Sequence, residues 1–244
     1  MTGSCFAERL GDMVILTPAE HRTLERLEER ERHLRRGGTL IRENDRAADM
    51  FVLRKGTMMS SVLLDDGSRQ ILRFLFPGDM LGVSSLVYRE APETISALTD
   101  CVVCPFERSA IATLIRDHPR LAALIMVYNQ IERTALTDRL AALGRTSAKA
   151  RVAAILIEMR NRIRMMDKEI GASFTLGLTQ EEIGDATGLT AVHVNRMLRQ
   201  LEEDGLIARE AGRVTFLNER ALARAANYVD RYTGLDLGWL PTAS

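Results

Sequence analysis

The chain has 244 residues, 46% of them hydrophobic, and its 33 basic residues balance 33 acidic ones. This length suits two modest domains, and a net charge of zero gives no overall field that would attract nucleic acid. Cys5, Cys101 and Cys104 are too few and too scattered for a disulfide framework. No apolar run approaches the roughly 20 residues that span a bilayer, and the N-terminus lacks the pattern of a signal peptide. We therefore expect a cytoplasmic protein with no membrane partner.

The first half of the chain changes from a charged helix to short strands. Residues 17–34 begin with a Thr-Pro-Ala-Glu capping signature and predict a helix with a solvated charged face. After Gly38, short apolar runs alternate with glycine. Residues 58–64 and 69–76 flank Asp65-Asp66-Gly67, which is a strong hairpin signal. Strands at this spacing predict an antiparallel β-roll or barrel, and in it residues 101–106, CVVCPF, form a strand with buried thiols.

A long helix is predicted at about residues 119–143, because Pro119 suits the first helical position. Its apolar residues return to one side, and Ile125, Met126 and Leu136 add apolar surface beyond that stripe. A helix that packs only on its own domain is one interpretation. The additional apolar surface favours a helix that also packs on a partner. Gly144 is expected to end the helix, and residues 144–147 are the expected hinge.

The most specific pattern in the chain is a pair of short helices joined by a tight turn. Thr179 and Glu182 have capping-box spacing, Gly188 can adopt positive φ in the turn, and Thr190 caps the second helix. The inward residues of the pair are Ile183, Ala186, Val194, Met197, Leu198 and Leu201. This is a helix-turn-helix arrangement, in which the second helix enters the DNA major groove.

The residues around this pair complete the predicted C-terminal half. Before it, residues 148–166 predict a helix with an exposed basic run at Arg160, Arg162 and Arg164. After it, apolar residues on both sides of Ala211-Gly212 predict a β-hairpin, so the unit is a winged helix-turn-helix. From residue 218 we expect a further helix and a tail that packs against the same domain.

Over roughly residues 15–220 the chain resembles the Crp/Fnr family of bacterial transcription regulators. The resemblance is carried by the wing and by the motifs T-Q-E-E-I-G, G-L-T, V-N-R-M-L and L-E-E-D-G-L-I. The resemblance implies an α+β fold with a jelly-roll-like antiparallel β-roll as sensor domain. It assigns residues 1–146 to the cyclic-nucleotide-binding-like sensor and residues 147–244 to a winged helix-turn-helix domain with a helical tail. It also makes the helix at 119–143 the dimerisation helix, with the stripe Leu121, Leu124, Tyr128, Ile131 and Ala135 as its interface.

The residues that bind cyclic AMP in this family are replaced here. Val83 stands where the ribose-binding Glu belongs, and Ala91-Pro92 stand where the phosphate-binding Arg-Ser pair belongs, followed by Glu93. A buried phosphodiester needs a guanidinium or similar donors, and a nearby carboxylate repels it. We expect no binding of cyclic AMP. An unknown effector remains possible at the effector region, which comprises Val83, Ser84, Ser85, Arg89, Glu93 and Thr94.

Other chemistry lacks its residues. Oxygen-sensing members of the family hold an iron–sulfur cluster with four cysteines, whereas this chain has three. The four histidines show no metal-ligand spacing, and no nucleophile–base pair is visible. We therefore expect no cofactor, no metal and no enzymatic activity. The alternative function is a β-roll that binds a small molecule or acts as an enzyme, with structural C-terminal helices.

The resemblance also implies roles for residues in the helix-turn-helix. Arg196 matches the family's guanine-reading arginine, Asn195 suits adenine, and Ala191 and Val192 are placed to touch thymine methyl groups. Candidates for phosphate contacts are Thr179, Gln180, Thr190, Arg199 and Arg213. The expected partners are double-stranded DNA, a second copy of the chain and RNA polymerase, and the expected operator is a near-palindrome.

Overall fold

The computed structural model describes residues 3–46 and 49–242. Its helices are α1 (Cys5–Gly11), α2 (Pro18–Arg26), α3 (Arg108–Asp117), α4 (Pro119–Arg145), α5 (Ala148–Met166), α6 (Gln180–Thr187), α7 (Ala191–Glu203) and α8 (Glu219–Ala226), with a short 3-10 helix at Val83–Leu86. Its strands are β1 (Arg32–Leu34), β2 (Thr39–Ile41), β3 (Met50–Lys55), β4 (Met58–Leu63), β5 (Arg69–Leu75), β6 (Met80–Leu81), β7 (Thr94–Ala97), β8 (Cys101–Phe106), β9 (Ser173–Thr175), β10 (Ile207–Glu210) and β11 (Arg213–Phe216). None of the helices in these ranges is long and apolar enough to cross a membrane.

Two four-stranded sheets form the predicted β-roll, with strand orders β1-β8-β3-β6 and β2-β7-β4-β5. β4 and β5 flank the predicted turn, where Gly67 has a φ of +82°. The strand prediction for residues 101–106 is also confirmed. Cys101 lies in one core cluster and Cys104 in another, so their side chains point to opposite faces of β8.

The N-terminal charged helix is shorter than predicted. Its capping box is present, with the Glu20 N–H donating to the Thr17 side chain and the Thr17 N–H donating to the Glu20 carboxylate. The helix ends at Arg26, however, and β1 follows at Arg32. The predicted continuation to residue 34 was wrong because residues 32–34 pair with β8 instead.

Glu28 explains why part of this charged segment is not a solvated face. Its residue is only 4% exposed. Its carboxylate accepts hydrogen bonds from the backbone N–H groups of Cys5 (3.2 Å) and Phe6 (3.0 Å), and from the hydroxyl of Ser4. These N–H groups begin α1 and have no partner inside that helix. The buried carboxylate therefore anchors α1, a helix that the sequence analysis did not predict.

The stripe of α4 that was assigned to the dimer interface packs on its own chain. Leu121, Leu124 and Tyr128 lie in the core with α1 and α2, Ile131 is 6% exposed, and Ala135 is partly buried. For Leu121, Leu124, Tyr128 and Ile131 this assignment needs correction, because a side chain already buried in its own chain is not available to a second copy. The same helix also continues through Gly144 to Arg145 rather than ending at Gly144, since a single glycine in a helix costs only about 1 kcal/mol.

The described residues form two compact units. The first contains residues 3–46, 49–62, 73–134 and 232–242, and the second contains Leu63–Leu72 and Ala135–Arg231. The hairpin tip joins the second unit, in which the Arg69 Nε donates to the Asp185 carboxylate at 2.8 Å.

The C-terminal tail departs from its prediction. α8 ends at Ala226, because Asn227 adopts a left-handed conformation with a φ of +50°. Further along, Tyr232 and Leu240 pack against the core of the first unit, rather than against the DNA-binding domain as expected. The Tyr232 ring lies 5.0 Å from the Arg9 guanidinium, and its hydroxyl donates to Glu132. An aromatic ring with a polar tip is well suited to such a site.

Candidate nucleic-acid interface

The helix-turn-helix forms where the sequence predicts it, and local signals set its geometry. Thr179 and Glu182 make both hydrogen bonds of a capping box at the start of α6. Gly188 ends α6 with a φ of +66°. A Cβ atom at Gly184 would lie 2.4 Å from the carbonyl oxygen of Leu189. The turn can therefore pack this closely on α6 only because residue 184 is a glycine.

α7 has one buried face and one exposed face. Thr190 caps it by accepting a hydrogen bond from the His193 N–H, and the predicted inward residues Val194, Met197, Leu198 and Leu201 are all buried. The opposite side, called here the exposed α7 face, comprises Ala191, Val192, Asn195, Arg196 and Arg199. Val192 is 82% exposed. Fully burying a valine side chain would stabilise the protein by about 1.5–3 kcal/mol, and the fold does not gain this energy at Val192.

Two hydrogen bonds organise the polar residues of this face. The Asn195 Nδ2 donates to the Gln180 Oε1 at 3.2 Å, which joins α7 to the first residue of α6. The Arg196 Nη2 lies 2.9 Å from the His193 Nε2. Because a guanidinium has only donors, the imidazole nitrogen must be the acceptor. The sequence analysis missed both pairs. The i,i+3 spacing of His193 and Arg196 was a usable signal, whereas the Gln180–Asn195 pair depends on tertiary packing.

The exposed α7 face is electropositive although the chain is neutral. Residues 191–201 include Arg196 and Arg199 and no carboxylate. The N-terminus of a helix adds partial positive charge and favours anions such as phosphate. Within the described residues, the Arg199 side chain makes no hydrogen bond or ion pair, although its charge interacts with that of Glu202.

The wing lies beside these helices as a three-stranded sheet in the order β10-β11-β9. Its turn has φ values of +48° at Ala211 and +79° at Gly212, as a tight hairpin turn requires. The predicted hairpin is confirmed, and β9 adds a third strand to it. Arg213 is exposed on the wing, and its Nη2 donates to the Ser173 hydroxyl at 3.1 Å.

The basic run on α5 is largely buried, contrary to the prediction. Arg160 is 2% exposed and Arg162 is 4% exposed, and only Arg164 is on the surface. The Arg160 guanidinium makes two hydrogen bonds to Glu219 of α8 and lies 5.2 Å from the Phe216 ring of the wing. Arg160 therefore connects α5, the wing and α8, and supports the DNA-binding unit from inside.

The residues of the effector region differ in their exposure. Val83 packs against the core, Arg89 is exposed, and Ser85 is buried. The Thr94 hydroxyl accepts a hydrogen bond from the Glu43 N–H at 3.0 Å. Ser84 is partly buried in the 3-10 helix.

Glu93 of this region is held by groups of its own chain. Its carboxylate accepts a hydrogen bond from the Ser60 hydroxyl at 2.5 Å and one from the Arg73 Nη2 at 3.4 Å. Arg73 also lies 3.7 Å from Glu132. Burial alone would lower the pKa of Arg73, but Glu93 and Glu132 outweigh it and raise the pKa. Arg73, which lies between Leu72 and Phe74 in β5, was not singled out from the sequence.

Comparisons with known proteins agree with this architecture. The family model of the cyclic nucleotide-binding domain matches residues 31–118, and that of the Crp-like helix-turn-helix domain matches residues 150–225. The nitrogen fixation regulation protein FixK of Bradyrhizobium diazoefficiens is 34% identical over 206 residues, which cover 83% of this chain and 84% of FixK. The transcriptional activatory protein AadR of Rhodopseudomonas palustris is 32% identical over 195 residues, which cover 79% of each chain.

A solved structure extends this similarity to three dimensions. FixK2 from Bradyrhizobium japonicum superimposes with a TM-score of 0.73 at 26% identity, covering 82% of this chain and 98% of FixK2. Both domains, their order along the chain and the helix-turn-helix geometry agree with this set of regulators. The chain belongs to the Crp/Fnr family of DNA-binding transcription regulators.

Proposed function

We propose that the protein is a homodimeric regulator that reads a near-palindromic operator with the exposed α7 face. The observation that carries this proposal is the division of α7 into a buried apolar face and an exposed, carboxylate-free face with Val192 and Arg196. Val192 is exposed, and Arg196 lies one turn further along the same face of α7. Base edges in the major groove offer both a thymine methyl group and the acceptors of guanine.

Each residue of the interface has a defined role in this proposal. Arg196 donates to O6 and N7 of guanine, and Ala191 and Val192 contact thymine methyl groups. Arg199 and Arg213 neutralise phosphates, while Thr179, Gln180 and Thr190 donate to phosphate oxygens near the helix N-termini. Such phosphate contacts set the position of the protein on DNA without specifying the sequence.

The proposed dimer uses a different face of α4 from the one first assigned. Met126, Leu136 and Leu140 are 61%, 39% and 71% exposed. Residues 126, 133 and 140 repeat at an interval of seven, and so do residues 129 and 136. This is the a and d spacing of a coiled coil, with the polar residues Asn129 and Arg133 at two of the five positions. A second copy would bury the exposed apolar side chains Met126, Leu136 and Leu140. Two α7 helices related by the dimer axis would then read half-sites about 34 Å apart.

The proposed regulator does not respond to cyclic AMP. Arg73, the guanidinium near the effector region, is already paired with Glu93 and Glu132. An entering phosphate would meet the Glu93 carboxylate and would have to displace it from Arg73. We expect calorimetry with cyclic AMP and cyclic GMP to detect no micromolar binding, and heat from either ligand at that concentration would refute this part.

We also propose that the protein has no iron–sulfur cluster and no enzymatic activity, and that it acts in the cytoplasm with RNA polymerase as a partner. The positions of the thiols support the first point, because Cys101 and Cys104 lie in separate core clusters on opposite faces of β8. Four thiolates must meet at one point to hold such a cluster. The regulatory relatives support the remaining points.

A mobility-shift experiment with genomic fragments at about 50 and 200 mM salt tests the proposal. The wild-type protein should retain a subset of fragments at the higher concentration. Arg196→Ala should lose that preference but keep weak, salt-sensitive binding, since one bidentate arginine–guanine contact discriminates by about 1–3 kcal/mol. Arg22→Ala, an exposed arginine on α2, is the matched control and should behave like wild type. Unchanged selectivity in Arg196→Ala would contradict the assignment, and a wild-type protein that selects no fragment would favour the alternative of a ligand-binding or enzymatic β-roll.

A further inference from the structure

The first residue of α6 contacts a base-facing residue of α7. The Asn195 Nδ2 donates to the Gln180 Oε1 at 3.2 Å, and both side chains are partly buried. Gln180 follows the capping residue Thr179, so its backbone is fixed by the capping box. Asn195 directly precedes Arg196 on the exposed α7 face. The hydrogen bond therefore joins a candidate phosphate contact to a candidate base contact.

A primary amide can offer either of its two ends to a base. Its oxygen only accepts hydrogen bonds, and its NH₂ group only donates them. An unrestrained asparagine can rotate its amide by a half turn and satisfy bases of either kind. Gln180 is also a primary amide, and its own orientation is set in the proposed complex, where its NH₂ group donates to a phosphate oxygen. Its oxygen then faces Asn195, accepts a hydrogen bond from the Asn195 NH₂ group and repels the Asn195 oxygen. The Asn195 oxygen is then directed away from Gln180.

We propose that Gln180 determines base specificity through Asn195, in addition to contacting the DNA backbone. This inference rests on the proposed function and deepens it. With its amide orientation fixed, Asn195 selects a base that carries an exocyclic amine, which means adenine or cytosine in the major groove. Adenine is the better match, because the second N–H of the amide can donate to its N7. Guanine and thymine present a carbonyl oxygen at that place and are rejected. Gln180 is thus a positioning residue for base readout.

The two possible roles of Gln180 predict different results. A residue that contacts only phosphate changes affinity for all sequences by the same factor and leaves the base preference intact. A residue that orients Asn195 changes the preference at one base pair. Gln180→Ala should relax the adenine-over-guanine preference at that pair by about three- to tenfold, which is the usual weight of one hydrogen bond. Gln180→Glu keeps the acceptor for Asn195, so it should keep the preference while the added negative charge weakens binding to every sequence.

The experiment first selects preferred duplexes from a random pool with the full-length wild-type protein. It then measures the affinity of each variant for the selected site and for its single-base substitutions. Asn195→Ala identifies the base pair that Asn195 contacts. If Gln180 acts through Asn195, adding Gln180→Ala to Asn195→Ala should reduce the base preference at that pair no further, which a double-mutant cycle measures. Arg199→Ala is the control for a phosphate contact and should leave every base preference unchanged.

The outcomes separate this inference from the function on which it rests. Loss of preference at the Asn195 base pair in Gln180→Ala, with retention in Gln180→Glu, supports it. Selective wild-type binding with a uniformly weaker but unchanged profile in Gln180→Ala overturns the inference alone. A wild-type protein that enriches no sequence overturns the proposed function and this inference with it.

Discussion

The exposed α7 face and the effector region differ in how their arginine side chains are paired. On α7, Arg196 is hydrogen-bonded to His193, and Arg199 has no hydrogen bond among the described residues, although its charge interacts with that of Glu202. In the β-roll, Arg73 is partly buried and pairs with Glu93 and Glu132. Charge that remains unneutralised on a surface is ready for an anionic partner, whereas charge neutralised inside the chain must break existing contacts first. The comparison favours DNA as the partner and disfavours an anionic effector.

The largest loss of stability is expected from replacing Arg160, which is buried inside the DNA-binding unit. Arg160→Ala removes a buried guanidinium from the Phe216 ring and from Glu219. We expect a loss of about 2–4 kcal/mol in the free energy of unfolding, from the cavity and the broken ion pair together. Urea denaturation measures it.

Arg164→Ala, an exposed arginine one turn along the same helix, is the matched control. It should change the free energy of unfolding by less than about 0.5 kcal/mol. Equal stability of the two variants would show that Arg160 does not hold the unit together.

The next effect concerns the neutralised arginine of the β-roll. Glu93→Ala leaves the partly buried Arg73 with fewer partners and the buried Ser60 hydroxyl without its acceptor. We expect a destabilisation of about 1–3 kcal/mol, the usual cost of an unsatisfied buried polar group. Thermal unfolding of the variant with and without inorganic phosphate measures it.

Phosphate should stabilise Glu93→Ala but not the wild-type protein, because the variant lacks one of the two carboxylates that pair with Arg73. Glu90→Ala, an exposed carboxylate on the same loop, serves as the control for overall charge. Phosphate stabilisation of the wild type would contradict the claim that Glu93 neutralises this site.

A smaller effect follows from the carboxylate that holds Arg160. The hydrogen bond from Arg160 keeps the pKa of Glu219 below its ordinary value. A carboxylate whose pKa is lower in the folded state adds stability above its unfolded pKa of about 4.3, and this contribution is lost as pH falls through the folded value. The stability difference between wild type and Glu219→Gln should therefore be largest near neutral pH and shrink below about pH 4. Urea denaturation of both proteins at several pH values tests this prediction. A stability difference between wild type and Glu219→Gln that grows in acid would contradict it.

The smallest effect should come from the thiols. Burial, followed by the nearby Glu28 charge, raises the pKa of Cys5 to about 11, and burial also raises the pKa of Cys101 and Cys104. Because the thiolate is the reactive form, we expect slow alkylation at pH 8 in the folded protein and fast alkylation in urea. Rapid modification of Cys5 in the folded protein would instead point to a thiol-based signal.

Local signals predicted the helix-turn-helix well, because capping residues, a turn glycine and helical spacing act within a few residues of each other. Thr179, Gly188 and Thr190 each do in the structure what their sequence context indicates. Predictions failed where a distant residue decided the outcome. Arg160 looked solvated because Phe216 and Glu219 lie more than fifty positions away in the sequence.

The long helix α4 shows a different limit of sequence reasoning. Its apolar residues were identified, but not which of its two apolar faces packs inward. Leu121 and Leu124 pack inward, while Met126 and Leu140 remain exposed. Hydrophobic spacing alone does not distinguish a face that meets its own domain from one that meets a partner.

Selection of random duplex DNA by the full-length protein, followed by sequencing of the bound fraction, tests the central claim most directly. We expect the wild-type protein to enrich a near-palindrome whose half-sites lie about one helical turn apart, centre to centre. Each half-site should contain a guanine that is no longer enriched when the Arg196→Ala variant is used for the selection. The central claim is contradicted if the wild-type protein enriches a single asymmetric site or no site at all. It is also contradicted if the Arg196→Ala variant still enriches the same guanine.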